Sequence, residues 1–482
     1  MEQRSSETKT AGLPAAVWVG LAVVLTAEFM DLVDATIVTV ALPSMAADLG
    51  MTPAQVQWTL AGYTLAMGAG LITGGRVGDL YGRRRVFLAG LAAGTLFAAL
   101  AALAPNPGWL MVSRILTGVA ASFTIPLVIG MIRSTFPERY RPAALGVYGA
   151  TLGLAAVVGP ILGGALVDGD LWGLGWRAVF WVNVPIGVVA LVVGWRTLAE
   201  SRDPGSARLD VPGAVLATAA TVLVLLPLVQ GPELDWPAWT VACLVAAPLV
   251  VAVLVWRQRR VQARGGDPLI EPALFARRGF SAGVVVAVLF FGAIGSYFLL
   301  LVLYLQNGTG RTAWETGLVL LPYAIGSFIT SALSVQLAAK AGRALLMTGA
   351  VSLAAAQVLL LVLLNDTADL GYWALAWPLF LGGLGLGLAA PPLIGIIIAA
   401  VDEHRAGSAA GVLTTFSQVG NALGVAVLGT VFFSTLDDAA GLDVVTAHAD
   451  ALSAALPWQI GAYVLAAALM TLLPSRSRAE EH

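Results

Sequence analysis

The sequence predicts an all-α membrane protein of fourteen transmembrane helices, two pseudo-symmetric six-helix bundles flanking a central two-helix insertion, with both termini cytoplasmic. Three observations predict it: a composition too apolar for water, apolar runs of membrane-spanning length, and arginines confined to one side. Of the 482 residues, 58% are hydrophobic and only 11% are charged, with a mean hydropathy of +0.86. A soluble domain carries about a quarter charged residues. A chain this poor in charge has lipid as its main solvent.

Composition also excludes several function classes. Cys243 is the only cysteine, which removes intramolecular disulfides and thiolate metal sites. The only lysines are Lys9 and Lys340, and neither follows a glycine, so there is no phosphate-binding loop to draw energy from ATP. His404, His448 and His482 lie far apart, which argues against a metal site. No cofactor is expected. The first apolar run is too long for the core of a signal peptide and reads as an uncleaved span.

A window of about 20 residues finds spans near 15–41, 54–77, 86–104, 109–132, 143–167, 176–196, 211–230, 237–256, 279–306, 313–338, 343–364, 372–400, 407–434 and 455–474. Gly and Pro interrupt several, as membrane helices tolerate. Arginine placement tests the count. With the N-terminus inside, every Lys and Arg lies in an inner segment except Arg114 within a span and Arg177 and Arg311 outside. Asp168, Asp170, Glu233, Asp235, Asp366, Asp437, Asp438 and Asp443 fall outside. Missing or inventing one span would scramble this asymmetry.

The chain also repeats itself. Val158-Gly-Pro-Ile-Leu-Gly163 echoes Val419-Gly-Asn-Ala-Leu-Gly424, and Gly82-Arg83 echoes Gly342-Arg343, at offsets of 261 and 260. Two related bundles around a central site is a common transporter plan. It divides the chain into a polar N-terminus (1–14), a first bundle (15–196), a linker with two extra spans (197–278), a second bundle (279–475) and a tail (476–482).

Three motifs carry chemistry. Gly75-Arg76-Val-Gly-Asp79-Leu-Tyr-Gly82-Arg83-Arg-Arg85 joins spans 2 and 3. Its glycines permit a tight turn, and Asp79 can pair with Arg76 or Arg83. A plain positive-inside anchor needs the arginines but neither the aspartate nor the glycine spacing. Gly159-Pro160-Ile-Leu-Gly163-Gly164 in span 5 combines close helix approach with a bendable point. Asp34-Ala-Thr-Ile-Val-Thr-Val-Ala-Leu-Pro43 closes span 1.

The loop motif resembles the signature loop of the major facilitator superfamily, and the Gly-Pro motif of span 5 is similar to that family's antiporter signature. With Trp58, Tyr63, Trp176-Arg177, Asn183-Val-Pro-Ile-Gly187, Tyr304-Leu-Gln306, Arg405-Ala-Gly and Gln418-Val-Gly420, the motif closing span 1 is similar to the family's fourteen-helix drug:proton antiporter branch. The resemblance spans about residues 28 to 430. It implies alternating access, a cytoplasmic latch formed by Gly75, Arg76, Asp79, Gly82 and Arg83, and multidrug or antibiotic efflux driven by the proton gradient across a bacterial cytoplasmic (inner) membrane. Two departures stand out. Thr117 occupies the usual glutamine position after the helix-4 arginine, and span 1 adds Glu28 and Asp31. The second-half copy of the loop has Ala339 in place of the aspartate, so only the first loop is expected to latch.

Ionisable residues within a span are costly, and each is a functional candidate with a partner to be named. Glu28, Asp31 and Asp34 fall within an arc of roughly 120° on span 1. Asp34 and Arg114 both lie roughly 8–9 Å below the outer boundary, at compatible heights for an ion pair. Such a pair can also be purely structural. Three carboxylates against one guanidinium leave surplus negative charge, relieved by taking up a proton or a cation. Protons and a lipophilic cationic drug are therefore expected to exclude one another at these acids. Which acid takes the proton stays open.

Among the aromatics Phe29, Trp58, Tyr63, Phe290, Phe291, Tyr297, Tyr304, Tyr323 and Phe328, most are packing; Tyr63 and Tyr304 lead as cavity residues because a hydroxyl at mid-membrane needs a partner, with Trp58, Gln306, Gln418 and Asn421 behind them. A proton-coupled importer or a carrier of one metabolite with the same fold competes with the exporter. A membrane enzyme or sensor lacks both a catalytic constellation and loops long enough for a domain. Small-molecule substrate, protons and the bilayer are the expected partners, with no nucleic acid, and a single chain is expected to suffice.

Overall fold

The computed structural model of the chain describes residues 15–202, 210–231, 234–266, 268–398, 401, 406–439 and 441–473. The polar N-terminus, the tail, residues 203–209, His404 and Arg405 lie outside them.

The regular elements are helices: α1 (Ala15–Leu49), α2 (Pro53–Tyr81), α3 (Arg83–Ala102), α4 (Pro107–Ser122), α5 (Ile125–Thr135), α6 (Arg141–Asp168), α7 (Ala178–Trp181), α8 (Asn183–Thr197), α9 (Val211–Gln230), α10 (Ala238–Ala263), α11 (Arg278–Leu303), α12 (Ala313–Ala341), α13 (Arg343–Asp366), α14 (Tyr372–Ile398), α15 (Ala406–Asp438) and α16 (Val444–Met470). Eleven helical stretches among the described residues are long and apolar enough to cross a bilayer. The chain is a multi-pass membrane protein.

Two predicted spans are broken, and proline explains both. The run 109–132 divides into α4 and α5 at Phe123 and Thr124, just before Pro126. The run 176–196 divides at Val182, three residues before Pro185. A proline ring crowds the carbonyl four residues back and cannot donate to it. The first break frees Thr124 to turn its hydroxyl toward α1. α1 also runs to Leu49 and α16 begins at Val444, beyond the predicted limits, the latter because Asp443 caps it.

The repeat extends further than the two matched strings. α2 and α12 are each 29 residues long, and each opens on a capping box, Thr52 with Gln55 and Thr312 with Glu315. Each ends at a glycine in a positive-φ conformation, Gly82 at +110° and Gly342 at +52°, followed at once by α3 or α13. An L side chain rarely adopts that backbone, so glycine at these corners sets how tightly each helix pair folds back. α9 and α10 pack chiefly on each other, and the base of α10 is tied by Arg257 and Gln258, both donating to Asp210.

Candidate functional site

α1 borders two separate pockets with opposite faces. Residues 34 and 36 point about 160° apart, because an α-helix advances about 100° per residue. The face bearing Met30, Asp31 and Asp34 turns toward α3, α4 and α8 and borders a pocket of about 40 Å³ with Thr95, Thr117 and Asn183. The opposite face, with Thr36 and Thr39, borders a cavity of about 380 Å³ where α1 and α2 meet α11, α12, α14 and α15.

Arg114 of α4 stands between the two. Its Nη1 donates to Asp34 Oδ2 at 2.5 Å, and its side chain is 1% exposed. The guanidinium carbon lies 4.4 Å from the centre of the Tyr63 ring and 5.8 Å from that of Phe180, both favourable cation–π distances. Arg114 and Tyr63 line the large cavity, whereas Asp34 lines the small one. Arg114 is thus held by the acid on one side and borders the cavity on the other with almost no exposed surface. Its Nε and Nη2 are buried and meet no acceptor among the described residues.

The other two acids have partners that the sequence did not disclose. Thr124, freed at the α4–α5 break, donates to Asp31 Oδ2 at 3.2 Å. Tyr148 of α6 donates to Glu28 Oε1 at 3.3 Å, leaving Glu28 Oε2 buried without a partner among the described residues. Three acids at successive turns of α1 therefore face three different partners. Thr117 bonds back to the Ser113 carbonyl and lines the small pocket.

The predicted cavity residues divide. Tyr63 and Asn421 line the cavity, joined by Phe291, Phe298, Tyr323 and Ser327. Tyr304 instead donates its hydroxyl to the Ala368 carbonyl at 2.6 Å, and Gln306 donates to the Val40 carbonyl at 2.7 Å. Both tie helix ends together on the side away from the arginine-rich loops. Gln418 packs where α15 meets Gly68 of α2, and Trp58 packs beside Gly62. Of the lining residues the sequence did not single out, Thr36 and Thr39 carried one usable signal, since hydroxyls recurring on one helix face inside a span need somewhere polar to point, whereas Phe298 and Ser327 carried none.

Gly159, Pro160, Gly163 and Gly164 make α6 a seam between the halves. A Cβ on Gly159 would lie 1.8 Å from Thr36 Oγ1, and one on Gly163 would lie 2.9 Å from Ile37 of α1. A Cβ on Gly164 would lie 2.5 Å from the Ala313 carbonyl oxygen of α12. Pro160 also borders the cavity.

At the arginine-rich end, Arg83 Nε donates to Asp79 Oδ1 at 2.8 Å, and Arg83 Nη1 reaches the Gly130 carbonyl. Arg76 Nη2 donates to the Pro268 carbonyl at 2.7 Å, and Gly75 sits beside Pro126. Glu200 accepts from the Arg84 backbone and pairs with Arg85. The Asp79–Arg83 pair is partly exposed, so Asp79→Asn is expected to change stability by less than about 1 kcal/mol. On the latch role that the resemblance of this loop implies, the expected cost falls on rate instead, about a tenfold loss of transport in vesicles. Thermal melting and transport measured side by side on this variant check the split.

Comparison with known proteins places this geometry. Residues 24–425 match the Major Facilitator Superfamily. The probable actinorhodin transporter of Streptomyces coelicolor is 41% identical over 89% of the chain and 74% of its own length. The cephamycin export protein of Amycolatopsis lactamdurans is 35% identical over 98% of the chain and 95% of its own length. Antibiotic export and resistance proteins recur among such relatives. In fold, the chain resembles the crystal structure of a bacterial homologue of the human lysosomal transporter Spinster. The TM-score is 0.66 at 16% identity, covering 96% of this chain and 97% of that one.

Proposed function

This chain belongs to the major facilitator superfamily, and on that premise we propose that it is a proton-coupled exporter of lipophilic drugs or antibiotics, working by alternating access in a bacterial cytoplasmic membrane. The names of its relatives support export of antibiotics. The three long helices α1, α2 and α6, added to the eleven apolar stretches, support a count of fourteen spans, and the arginine-rich side supports cytoplasmic ends. Two six-helix bundles, α1–α8 and α11–α16, enclose the cavity, and α9–α10 form the insertion. One chain contains the whole pathway.

The observation that carries this reading is the buried Asp34–Arg114 pair, with the acid bordering the small pocket and the arginine bordering the large cavity. A proton on Asp34 removes the charge that holds Arg114 at the cavity wall. Ligand and proton then favour different states of one pair without sharing an atom, which is sufficient for coupling. Direct competition at the carboxylates is replaced by competition through Arg114. Asp31 and Glu28, one and two turns nearer the arginine-rich end, supply further carboxylates for passing the proton on.

Proteoliposomes with a reporter drug and an internal pH dye test direction. Export by exchange predicts that drug added on the cytoplasmic face drives protons toward it, so that proton and drug move oppositely. Movement in the same direction would establish the importer reading in its place.

A further inference from the structure

The structure assigns the large cavity a ligand chemistry opposite to the cation that the acid-rich span 1 favours. We propose that the transported molecule presents an oxygen acceptor, a carbonyl, phenolate or carboxylate on an aromatic frame, to the free Nε and Nη2 of Arg114. This deepens the exporter reading and rests on it for the identity of the cavity as the transport site.

Charge decides the argument. Arg114 is the only charged residue among those lining the cavity, and Glu28, Asp31 and Asp34 all lie on other surfaces. A cation entering would meet a guanidinium and no counter-charge. Arg114 uses Nη1 on Asp34, while its other two nitrogens are buried with no acceptor among the described residues. A buried charged donor left unpaired bears its full desolvation cost, which an arriving acceptor recovers. Planar guanidinium donors suit a carboxylate or two neighbouring oxygens.

The rest of the wall fits an aromatic body. Phe298 and Tyr323 meet edge to face at 4.9 Å, and Phe291 borders the same space. Tyr63 lies beneath the guanidinium, so a ring seated against Tyr63 brings its oxygens alongside Arg114. Asn421 and Ser327 offer polar groups at the far side. The volume of about 380 Å³ accommodates a drug-sized polycyclic molecule.

Two fluorescent probes with one ring system test this: pyrenecarboxylate and pyrenylmethylammonium, titrated into the full chain in nanodiscs at one pH, with empty nanodiscs subtracted. The carboxylate is expected to bind at least about tenfold more tightly than the ammonium. Arg114→Gln should erase that preference. Asn421→Asp, which leaves the arginine in place and adds a carboxylate to the wall, should shift it toward the ammonium. Equal or tighter binding of the ammonium by the unsubstituted chain overturns the proposal. So does a preference that survives Arg114→Gln in a folded protein. If that variant does not fold, the unsubstituted chain and Asn421→Asp decide the matter. Binding preference at fixed pH is independent of proton movement. Failure of coupling with the preference intact would strike only the exporter reading, and the reverse only this one.

Discussion

Replacing Asp34 by asparagine is expected to abolish drug-driven proton movement while leaving the protein inserted and able to bind ligand. Asparagine keeps the size of the side chain and one oxygen for Arg114 Nη1, which now sits 2.5 Å from the carboxylate. It removes the charge and the site of protonation together. Breaking a buried ion pair by removing one partner costs roughly 3–5 kcal/mol, because the remaining charge is stranded. If even the lower figure falls on the working state of the transporter, coupled flux drops by about a hundredfold or more. Glu28 and Asp31 sit nearby but bond to Tyr148 and Thr124 rather than to the arginine. Glu28→Gln and Asp31→Asn should therefore give smaller losses. The measurement is proton flux in proteoliposomes on adding drug. An Asp34→Asn protein that still exchanges drug for protons at the unsubstituted rate would show the pair to be structural.

Gly164→Val is expected to have the largest effect on conformation. A Cβ there would stand 2.5 Å from the Ala313 carbonyl oxygen and 2.6 Å from Trp314 Cα. Both are backbone atoms and cannot swing aside. Overpacking of this kind costs about 1–3 kcal/mol, which disfavours the state with α6 pressed on α12 by roughly fivefold to more than a hundredfold. That contact lies at the end opposite the arginine-rich loops, where Asp168 also accepts from the Trp314 backbone. The variant should therefore expose the cavity from that side. Thr39 lines the cavity, and Cys243 is the only native thiol. In a Cys243→Ala, Thr39→Cys background, Gly164→Val should accelerate labelling by an impermeant thiol reagent applied outside. Gly461→Val is the control, since nothing lies within 4 Å of a Cβ there. Equal labelling in both would mean that the seam does not govern access.

Much of the site was legible because helix geometry is regular. The matching depths of Asp34 and Arg114 follow from a rise of about 1.5 Å per residue. What they touch beyond each other was not legible. The hydroxyl of Thr124 reaches Asp31 only because Pro126 opens the helix one turn early, within a run that reads in sequence as one unbroken rod. Tyr148 meets Glu28 through the packing of α6 on α1, which no spacing within either helix reveals. Tyr304 and Gln306 illustrate the converse. As polar groups in an apolar run they read as ligand contacts, but the structure uses them on the carbonyls of Ala368 and Val40.

By itself, then, the sequence determined the solvent, the helical class, the repeat and the charges that must sit in the membrane, because these depend on local composition, periodicity and the cost of burying charge. Tertiary structure decided which face of each helix sees which compartment. The acids on α1 border the small pocket or lie buried beside it, and none of them lines the large cavity. That placement depends on how α4, α6, α11 and α12 rotate against α1, and rotation is fixed by close packing among distant segments rather than by any local run of residues.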